Sequence, residues 1–294
     1  MNRPVFRFAP SPNGDLHLGH AYSALLNQNM AANAGGRLLL RIEDIDLTRC
    51  TPAFEAGIHR DLEWLGIAWE TPVRRQSEHL EDYEKLLRRL ISDDLVYPAF
   101  MSRGEVRAHI ADMEAAGQRW PRDPDGAPLY PGLDKRLGTR ERQRRIADGD
   151  PLAWRLDTDR AAAGAGRPLT WTELEDAGMS SERKVDAQPE LWGDVVLARR
   201  DVATSYNLSV VADDALQGAT HVVRGLDLFA ATGIHRLLQE LLGLPEPLYH
   251  HHRLIAGPDG NKLSKSQRNT GLQALRSAGC TPDDIRRMIG LDLE

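Results

Sequence analysis

Length, composition and charge restrict the class of protein to which this chain can belong. With 294 residues, 41% of them hydrophobic and 27% charged, it has enough apolar material for a core in one large or two smaller domains, which argues against a disordered chain. Its formal net charge of −6 argues against a protein that wraps a long nucleic acid, so any RNA contact must be local. Two distant cysteines, no signal-peptide core and no apolar stretch of bilayer length predict a cytoplasmic protein with neither a disulfide framework nor a membrane segment.

The N-terminal residues predict a strand, a helix and a second strand, in that order. Residues 5–8 alternate like a short strand, and apolar side chains recur at helical spacing from Leu18 to Met30. Gly35 and Gly36 end the helix, and residues 38–42 have the apolar pattern of a buried strand. This order is a βαβ unit, so we predict an α/β fold with a parallel sheet whose ligands bind at the carboxyl ends of the strands.

The later elements are less regular. Helices are predicted at residues 61–66, 83–95 and 234–242, and strands at residues 192–197, 208–214 and 221–225. Residues 97–188 are rich in Arg, Gly, Pro and Asp with weak periodicity, which is typical of an insertion rather than of core sheet. We therefore predict one domain formed by residues 1–96 and 189–294, with an inserted smaller subdomain at 97–188.

A polar segment follows the first predicted strand and contains two histidines, His17 and His20. A junction between a strand and a helix presents free backbone N–H groups and the positive end of the helix dipole, which suits a phosphate group. The two histidines lie three residues apart and share one face, and Gly19 between them lets a flat ligand approach the backbone. The alternatives are a surface turn with two exposed histidines or half of a metal site.

A second polar segment lies near the other end of the chain. A Pro-Asp-Gly turn precedes two lysines, Lys262 and Lys265, and two hydroxyl side chains, Ser264 and Ser266. Lysine is a compact charge on a long stem, which suits a triphosphate whose leaving group gains charge. A solvated basic turn is the alternative for this segment alone, and the two segments together are far more specific than either one.

Together the two segments resemble the motifs of the class I aminoacyl-tRNA synthetases. His17-Leu18-Gly19-His20 matches their HIGH motif, and Lys262-Leu263-Ser264-Lys265-Ser266 matches KMSKS with Leu in place of Met. The resemblance implies a Rossmann-like catalytic domain with a parallel sheet and an inserted smaller α/β subdomain. It also implies that both motifs bind ATP with Mg²⁺ and that four residues act in catalysis, namely His17, His20, Lys262 and Lys265.

The opening Arg7-Phe8-Ala9-Pro10-Ser11-Pro12 is similar to the glutamyl branch of that family. The resemblance implies a glutamate site made of Arg7, Phe8, Ala9, Pro10, Ser11, Glu43, Tyr206 and Arg224, in which Glu43 meets the substrate ammonium. Glutamate carries two carboxylates and one amine, and Arg7 and Arg224 can each bind a carboxylate through two N–H groups. Which arginine takes the side-chain carboxylate stays open. Glu43 as an ordinary salt-bridge residue and Tyr206 as a core aromatic are the alternatives.

The distance from the second motif to the last residue, Glu294, is short for a glutamyl-tRNA synthetase. This short form is similar to the glutamyl-queuosine tRNA(Asp) synthetases, which lack an anticodon-binding domain. The resemblance implies a monomer that activates L-glutamate without tRNA and transfers it to queuosine in the anticodon stem-loop of tRNA(Asp). The alternatives are a truncated enzyme that charges tRNA(Glu), a non-catalytic tRNA-binding paralogue, and a nucleotidyltransferase for another small acid.

Many members of this short family carry a zinc site in the inserted region. The ligand positions correspond here to Pro98, Phe100, Tyr130 and Asp134, and proline and phenylalanine cannot bind zinc. We therefore predict no structural zinc and expect aromatic packing in its place. A basic cluster follows, which either contacts the RNA backbone or is a solvated helix face, and consists of Lys135, Arg136, Arg140, Arg142, Arg144 and Arg145.

Overall fold

The computed structural model describes residues 3–200, 202–255 and 271–291. Its strands are β1 (Val5–Phe8), β2 (Arg37–Ile42), β3 (Glu70–Arg75), β4 (Val96–Ala99), β5 (Ala153–Leu156), β6 (Thr170–Leu174), β7 (Glu182–Asp186), β8 (Val196–Arg199), β9 (His221–Gly225) and β10 (Leu248–His252). Its helices are α1 (Leu18–Asn33), α2 (Pro52–Trp64), α3 (Leu80–Ser92), α4 (Arg103–Ala115), α5 (Thr139–Ala147), α6 (Thr158–Gly164), α7 (Tyr206–Leu216), α8 (Thr232–Leu242), α9 (Leu272–Ser277) and α10 (Pro282–Ile289). No helix in these ranges is long and apolar enough to cross a membrane.

A seven-stranded sheet forms the centre of the molecule, in the order β3-β2-β1-β9-β10-β6-β7. Every pair in it is parallel except β6 with β7, which is antiparallel. Strands β1 and β2 are almost wholly buried, as expected for a parallel sheet covered by helices on both faces. The predicted βαβ unit and the α/β fold class are therefore confirmed.

The turn between α1 and β2 explains the paired glycines. Gly35 adopts a φ of 58°, a left-handed conformation that favours glycine. Gly36 lies so close to the preceding chain that a Cβ atom there would be 2.7 Å from the carbonyl oxygen of Pro4. Because the chain turns so closely after α1, β2 can pair directly with β1. This pairing places Arg41 and Glu43 beside the end of β1.

A separate three-stranded antiparallel sheet has the order β4-β5-β8. The sheet pairing departs from the predicted division at residues 97 and 188. Strands β6 and β7 lie within that range but join the large sheet beside β10, whereas β8 lies outside it and completes the small sheet. Strand β6 was not predicted from the sequence because its segment has weak periodicity, although its Trp171 and Leu174 are buried as in any core strand.

The predicted strand at residues 208–214 is wrong, because this segment forms most of helix α7. All seven of its residues are buried, so the helix shows no polar face to distinguish it from a buried strand. The predicted helix at 61–66 covers only the end of α2, which begins at Pro52 behind a Thr51 cap. The helix predicted at 83–95 corresponds to α3, shifted by about one turn, and the helix predicted at 234–242 corresponds to α8.

Candidate active site

A cavity of ≈ 310 Å³ lies where β1, β9 and β10 end beside the start of α1. It brings together every described residue of the predicted glutamate site and all of the first motif except Leu18. These are Arg7, Phe8, Ala9, Pro10, Ser11, His17, Gly19, His20, Glu43, Tyr206 and Arg224. The second motif, Lys262 to Ser266, lies outside the described residues. The wall of the cavity also contains Asp227 and His252, which sequence reasoning missed.

The two histidines of the first motif are held by the backbone at the start of α1. The backbone N–H of Gly19 donates to His17 Nδ1 and that of His17 donates to His20 Nδ1, both at 3.1 Å. The two ring centroids are 3.8 Å apart. Because Nδ1 accepts a hydrogen bond in both rings, a neutral ring carries its proton on Nε2, where it can be donated to a phosphate oxygen.

Arg7 is bound on the floor of the cavity by Asp214, a residue of α7. Arg7 Nε and Nη2 lie 3.0 and 3.4 Å from the two carboxylate oxygens of Asp214. The fully buried Arg41 donates to the same carboxylate at 2.8 Å and to Glu43 at 3.1 Å. Burial alone would raise the pKa of Asp214, but the two guanidinium groups lower it to about 2. Asp214 therefore stays ionised and fixes both arginines.

Asp213, the neighbour of Asp214, continues this network away from the cavity. It accepts hydrogen bonds from Arg74 Nε at 2.7 Å, Gln76 Nε2 at 2.8 Å and Tyr83 Oη at 3.0 Å. Sequence reasoning missed both aspartates because it assigned their segment to a strand. Two adjacent acidic residues at the end of a mostly apolar run were the available signal, since buried carboxylates require partners.

Glu43 is 8% exposed and faces the cavity next to Arg41. Burial raises the pKa of the Glu43 carboxyl above its usual value, although Arg41 and Arg7 both lower it. An ammonium group bound in the cavity would favour the ionised form of this carboxyl further. Glu43 is therefore a buried carboxyl that faces the cavity, where a bound cation would stabilise its ionised form, and it is also a salt-bridge partner of Arg41.

Arg224 is the other buried arginine of the cavity, and its partners differ from those of Arg7. Its Nε donates to His251 Nε2 at 3.1 Å, and its Nη2 donates to Thr232 Oγ1 at 2.7 Å and to the Leu228 carbonyl at 3.2 Å. Nη1 contacts His235 Nδ1 at 3.1 Å and, in the longest of these contacts, Tyr206 Oη at 3.4 Å.

The partners of Arg224 are all uncharged. Burial and the charge of Arg224 together lower the pKa of His251 to about 4, although the hydrogen bond to Glu173 raises it, and they lower the pKa of His235 well below its usual value. Burial likewise raises the pKa of the Tyr206 hydroxyl. Among the described residues no carboxylate lies within ion-pair distance of Arg224, so its charge can attract an anionic ligand.

The four positions that the sequence analysis compared with zinc ligands form aromatic and hydrogen-bonded contacts. Tyr130 donates a short hydrogen bond to Asp134, and the guanidinium of Arg155 lies 3.8 Å from the centre of the Tyr130 ring. Arg145 lies 4.2 Å from the centre of the Phe100 ring, and Pro98 lies in β4. Across residues 3–200, 202–255 and 271–291, no cluster of three His, Cys, Asp or Glu side chains could hold a metal ion. The absence of a structural zinc stays a prediction.

The model of the class I tRNA synthetase catalytic domain (E and Q) matches residues 5–291. The chain belongs to this family. It is therefore a ligase of the aminoacyl-tRNA synthetase type, and members of this family use ATP as a substrate, generally with Mg²⁺.

Individual relatives agree with the family model. The chain is 48% identical over 292 residues to the glutamyl-Q tRNA(Asp) synthetase of Rhodobacter capsulatus, covering 98% of this chain and 100% of that protein. It is 37% identical to the protein of the same name from Symbiobacterium thermophilum, covering 95% of this chain and 83% of that one. The crystal structure of glutamate-tRNA synthetase from Elizabethkingia anophelis superposes with a TM-score of 0.73 at 27% identity, covering 95% of this chain and 54% of that one.

Proposed function

We propose that this chain activates L-glutamate with ATP in the absence of tRNA and transfers it to queuosine at the wobble position of tRNA(Asp). The observation that carries the first half is one cavity that combines a buried anion, Glu43, two buried cations, Arg7 and Arg224, and the paired histidines of α1. The second half is supported by the 48% identity to a protein named glutamyl-Q tRNA(Asp) synthetase over its full length.

Glutamate fits the charges of the cavity better than glutamine does. Arg7 already shares Asp214 with Arg41, whereas Arg224 meets only neutral acceptors among the described residues. We assign the side-chain carboxylate to Arg224, where it would replace the long contact with Tyr206. Glutamine would leave this desolvated guanidinium without an anion, which costs about 2–5 kcal/mol. That difference is enough to discriminate between the two amino acids without a separate editing site.

The activation step needs little proton transfer. An oxygen of the glutamate α-carboxylate attacks the α-phosphorus of ATP, and the bond to the β-phosphate oxygen breaks as pyrophosphate leaves. The attacking carboxylate is already ionised, so catalysis consists of positioning and charge stabilisation. His17 and His20 would donate hydrogen bonds through Nε2 to phosphate oxygens. Lys262 and Lys265 would stabilise the negative charge that develops on the leaving pyrophosphate, and Mg²⁺ bound to the ATP phosphates would supply a further positive charge.

In the transfer step, a hydroxyl oxygen of queuosine attacks the carbonyl carbon of the glutamyl-adenylate. The bond between the carbonyl carbon and the phosphate oxygen breaks, AMP leaves with that oxygen, and the hydroxyl proton is released. The product is an ester of glutamate on the modified base rather than on the 3′ end of the tRNA.

The activation half is tested by glutamate-dependent exchange of pyrophosphate into ATP in the absence of RNA. We expect exchange with glutamate and none with aspartate or glutamine. Exchange that strictly requires tRNA(Glu) would show that the chain is an ordinary charging enzyme instead. Failure of ATP and glutamate to bind by calorimetry would indicate a non-catalytic paralogue.

The role of Arg224 is tested by Arg224→Gln. The specificity constant kcat/KM for glutamate should fall by roughly 30-fold to several thousand-fold, the equivalent of about 2–5 kcal/mol, because one substrate carboxylate loses its cation. Arg37→Gln is the matched control, since Arg37 pairs with Glu70 on the surface and does not line the cavity. An equal effect of the two substitutions would remove Arg224 from the site.

A further inference from the structure

Three neighbouring strands carry a row of polar side chains behind Arg224. The residue paired with Arg224 of β9 is His251 of β10, and β10 also pairs with β6, where Tyr249 lies opposite Glu173. All three side chains are nearly inaccessible: Arg224 and Glu173 are each 5% exposed, and the His251 side chain is 1% exposed. Of these three residues, only Arg224 lines the cavity, so Glu173 and His251 form a layer behind it.

Glu173 is a buried carboxylate that forms no ion pair with an arginine or lysine in the described part of the chain. It accepts hydrogen bonds from the backbone N–H of His251 at 2.8 Å and from Trp171 Nε1 at 3.0 Å. Its two oxygens lie 3.0 and 2.9 Å from His251 Nδ1. Burial would raise the pKa of Glu173, but these hydrogen bonds lower it below its usual value. The carboxylate is therefore ionised, and its charge is not balanced by any arginine or lysine contact among the described residues.

The hydrogen bonds determine which nitrogen of His251 carries the proton. Arg224 Nε can only donate, so His251 Nε2, 3.1 Å away, must accept. The proton then lies on Nδ1 and points to Glu173, as in metal sites where a carboxylate fixes the tautomer of a ligating histidine. Thr232 Oγ1, also 3.1 Å from Nε2, is compatible with the same tautomer because a hydroxyl can donate.

We propose that Glu173 and His251 form a positioning relay that holds the guanidinium of Arg224 in place for the side-chain carboxylate of the substrate. The relay rests on the proposed function, in which Arg224 takes that carboxylate. A buried anion and a buried cation are separated by one neutral imidazole. The arrangement fixes the orientation of Arg224 without placing an acid in direct contact with it, so the guanidinium keeps its attraction for an incoming anion. Glu173 and His251 are thereby determinants of the preference for glutamate over glutamine.

The tautomer of His251 tests the relay without any substrate. In protein labelled with ¹⁵N-histidine, NMR at pH 7 should show His251 neutral with its proton on Nδ1. In Glu173→Gln the Nδ1–H signal should shift or exchange faster, because the amide that replaces the carboxylate is a weaker acceptor. A wild-type His251 that is protonated on Nε2, or on both nitrogens, would overturn the relay even if no variant folded.

Steady-state activation measures the effect on the substrate. Glu173→Gln should raise KM for glutamate roughly 10- to 100-fold, the usual effect of losing a partner one layer behind a binding group, with KM for ATP nearly unchanged. Discrimination against glutamine should decrease, and Glu173→Asp should recover part of it because the carboxylate is retained. Asp61→Asn is the control: it removes the charge of another buried carboxylate, which pairs with Arg276 outside the cavity.

The two readouts separate the relay from the proposed function. Unchanged KM and selectivity in Glu173→Gln, with an unchanged Nδ1–H signal of His251, would overturn the relay while wild-type glutamate activation still stood. If the wild-type enzyme failed to activate glutamate, the proposed function would fail, whereas the NMR result would still determine whether the proton of His251 is held as described.

Discussion

The central cavity and helix α5 are both rich in arginine, but their arginines form ion pairs of opposite kinds. Around the cavity, Arg7 and Arg41 pair with Asp214, which lies 207 and 173 residues further along the chain. On α5, Arg144 pairs with Glu141 of the same helix and with Asp148, the residue that follows the helix. The first set is buried and joins distant strands and helices, whereas the second set is exposed and local.

The burial and the range of the ion pairs distinguish a ligand-binding site from an ordinary protein surface. Long-range buried pairs cost desolvation and are tolerated only where the fold holds both partners, so they fix the geometry in which a ligand is bound. Local exposed pairs contribute little and move easily. In the basic cluster that the sequence suggested as an RNA contact, Arg144 is of the second kind, and Arg145 also forms a local pair, with Asp150. Lys135 differs, because it is half-buried and pairs with Asp157 and with the buried Asp194, which are distant in sequence.

The largest expected effect of a single change is that of Asp214→Asn. It removes the shared anion between two buried arginines, and breaking such a pair by removing one partner costs about 3–5 kcal/mol. Urea unfolding should show this loss in the free energy of unfolding, and glutamate activation should fall with it because Arg7 loses its anchor. A loss below about 1 kcal/mol would mean that the buried network does not support the cavity.

Acid should destabilise the protein through its buried histidines. Burial lowers the pKa of His251 to about 4, so the unfolded state binds more protons than the folded state between about pH 6.5 and pH 4. The contribution of the neutral, buried His251 to the free energy of unfolding is complete above pH 6.5 and is lost as the pH falls from about 6.5 to about 4. Glu43, whose pKa is raised by burial, acts in the opposite direction, so wild type must be compared with His251→Gln.

Thermal unfolding at pH 7.5, 6 and 5 measures this dependence. We expect Tm to fall toward pH 5 in the wild type and to fall less in His251→Gln, which has no imidazole to protonate. Parallel curves for the two proteins would show that His251 titrates normally in the folded state and is not held neutral.

The smallest expected effect is that of Arg144→Ala on α5. Because both acids that pair with Arg144 are exposed and local, stability should change by less than about 0.5 kcal/mol, and glutamate activation should be unchanged. The same unfolding and exchange assays apply. A loss comparable to that of Asp214→Asn would erase the contrast between the two regions.

The elements that could be predicted from the sequence are those with a strong local pattern. Strand β1, helix α1 and strand β2 follow from apolar spacing and a glycine stop, and the two histidines follow from their position at the helix start. The partners of the site residues could not be predicted in this way. Asp214 was hidden because a helix buried on all sides resembles a strand, and Glu173 lies 78 residues from His251 in a region without clear periodicity. Strand order in the sheet, which brings such residues together, depends on contacts that no local pattern encodes.

Transfer of radiolabelled glutamate to purified tRNA(Asp), with and without queuosine, is the decisive test of the proposed function. We expect ATP-dependent labelling only of the queuosine-containing RNA, with the label retained in the anticodon stem-loop after cleavage. Labelling of tRNA(Glu) at its 3′ end, or equal labelling of both forms of tRNA(Asp), would contradict the proposed function.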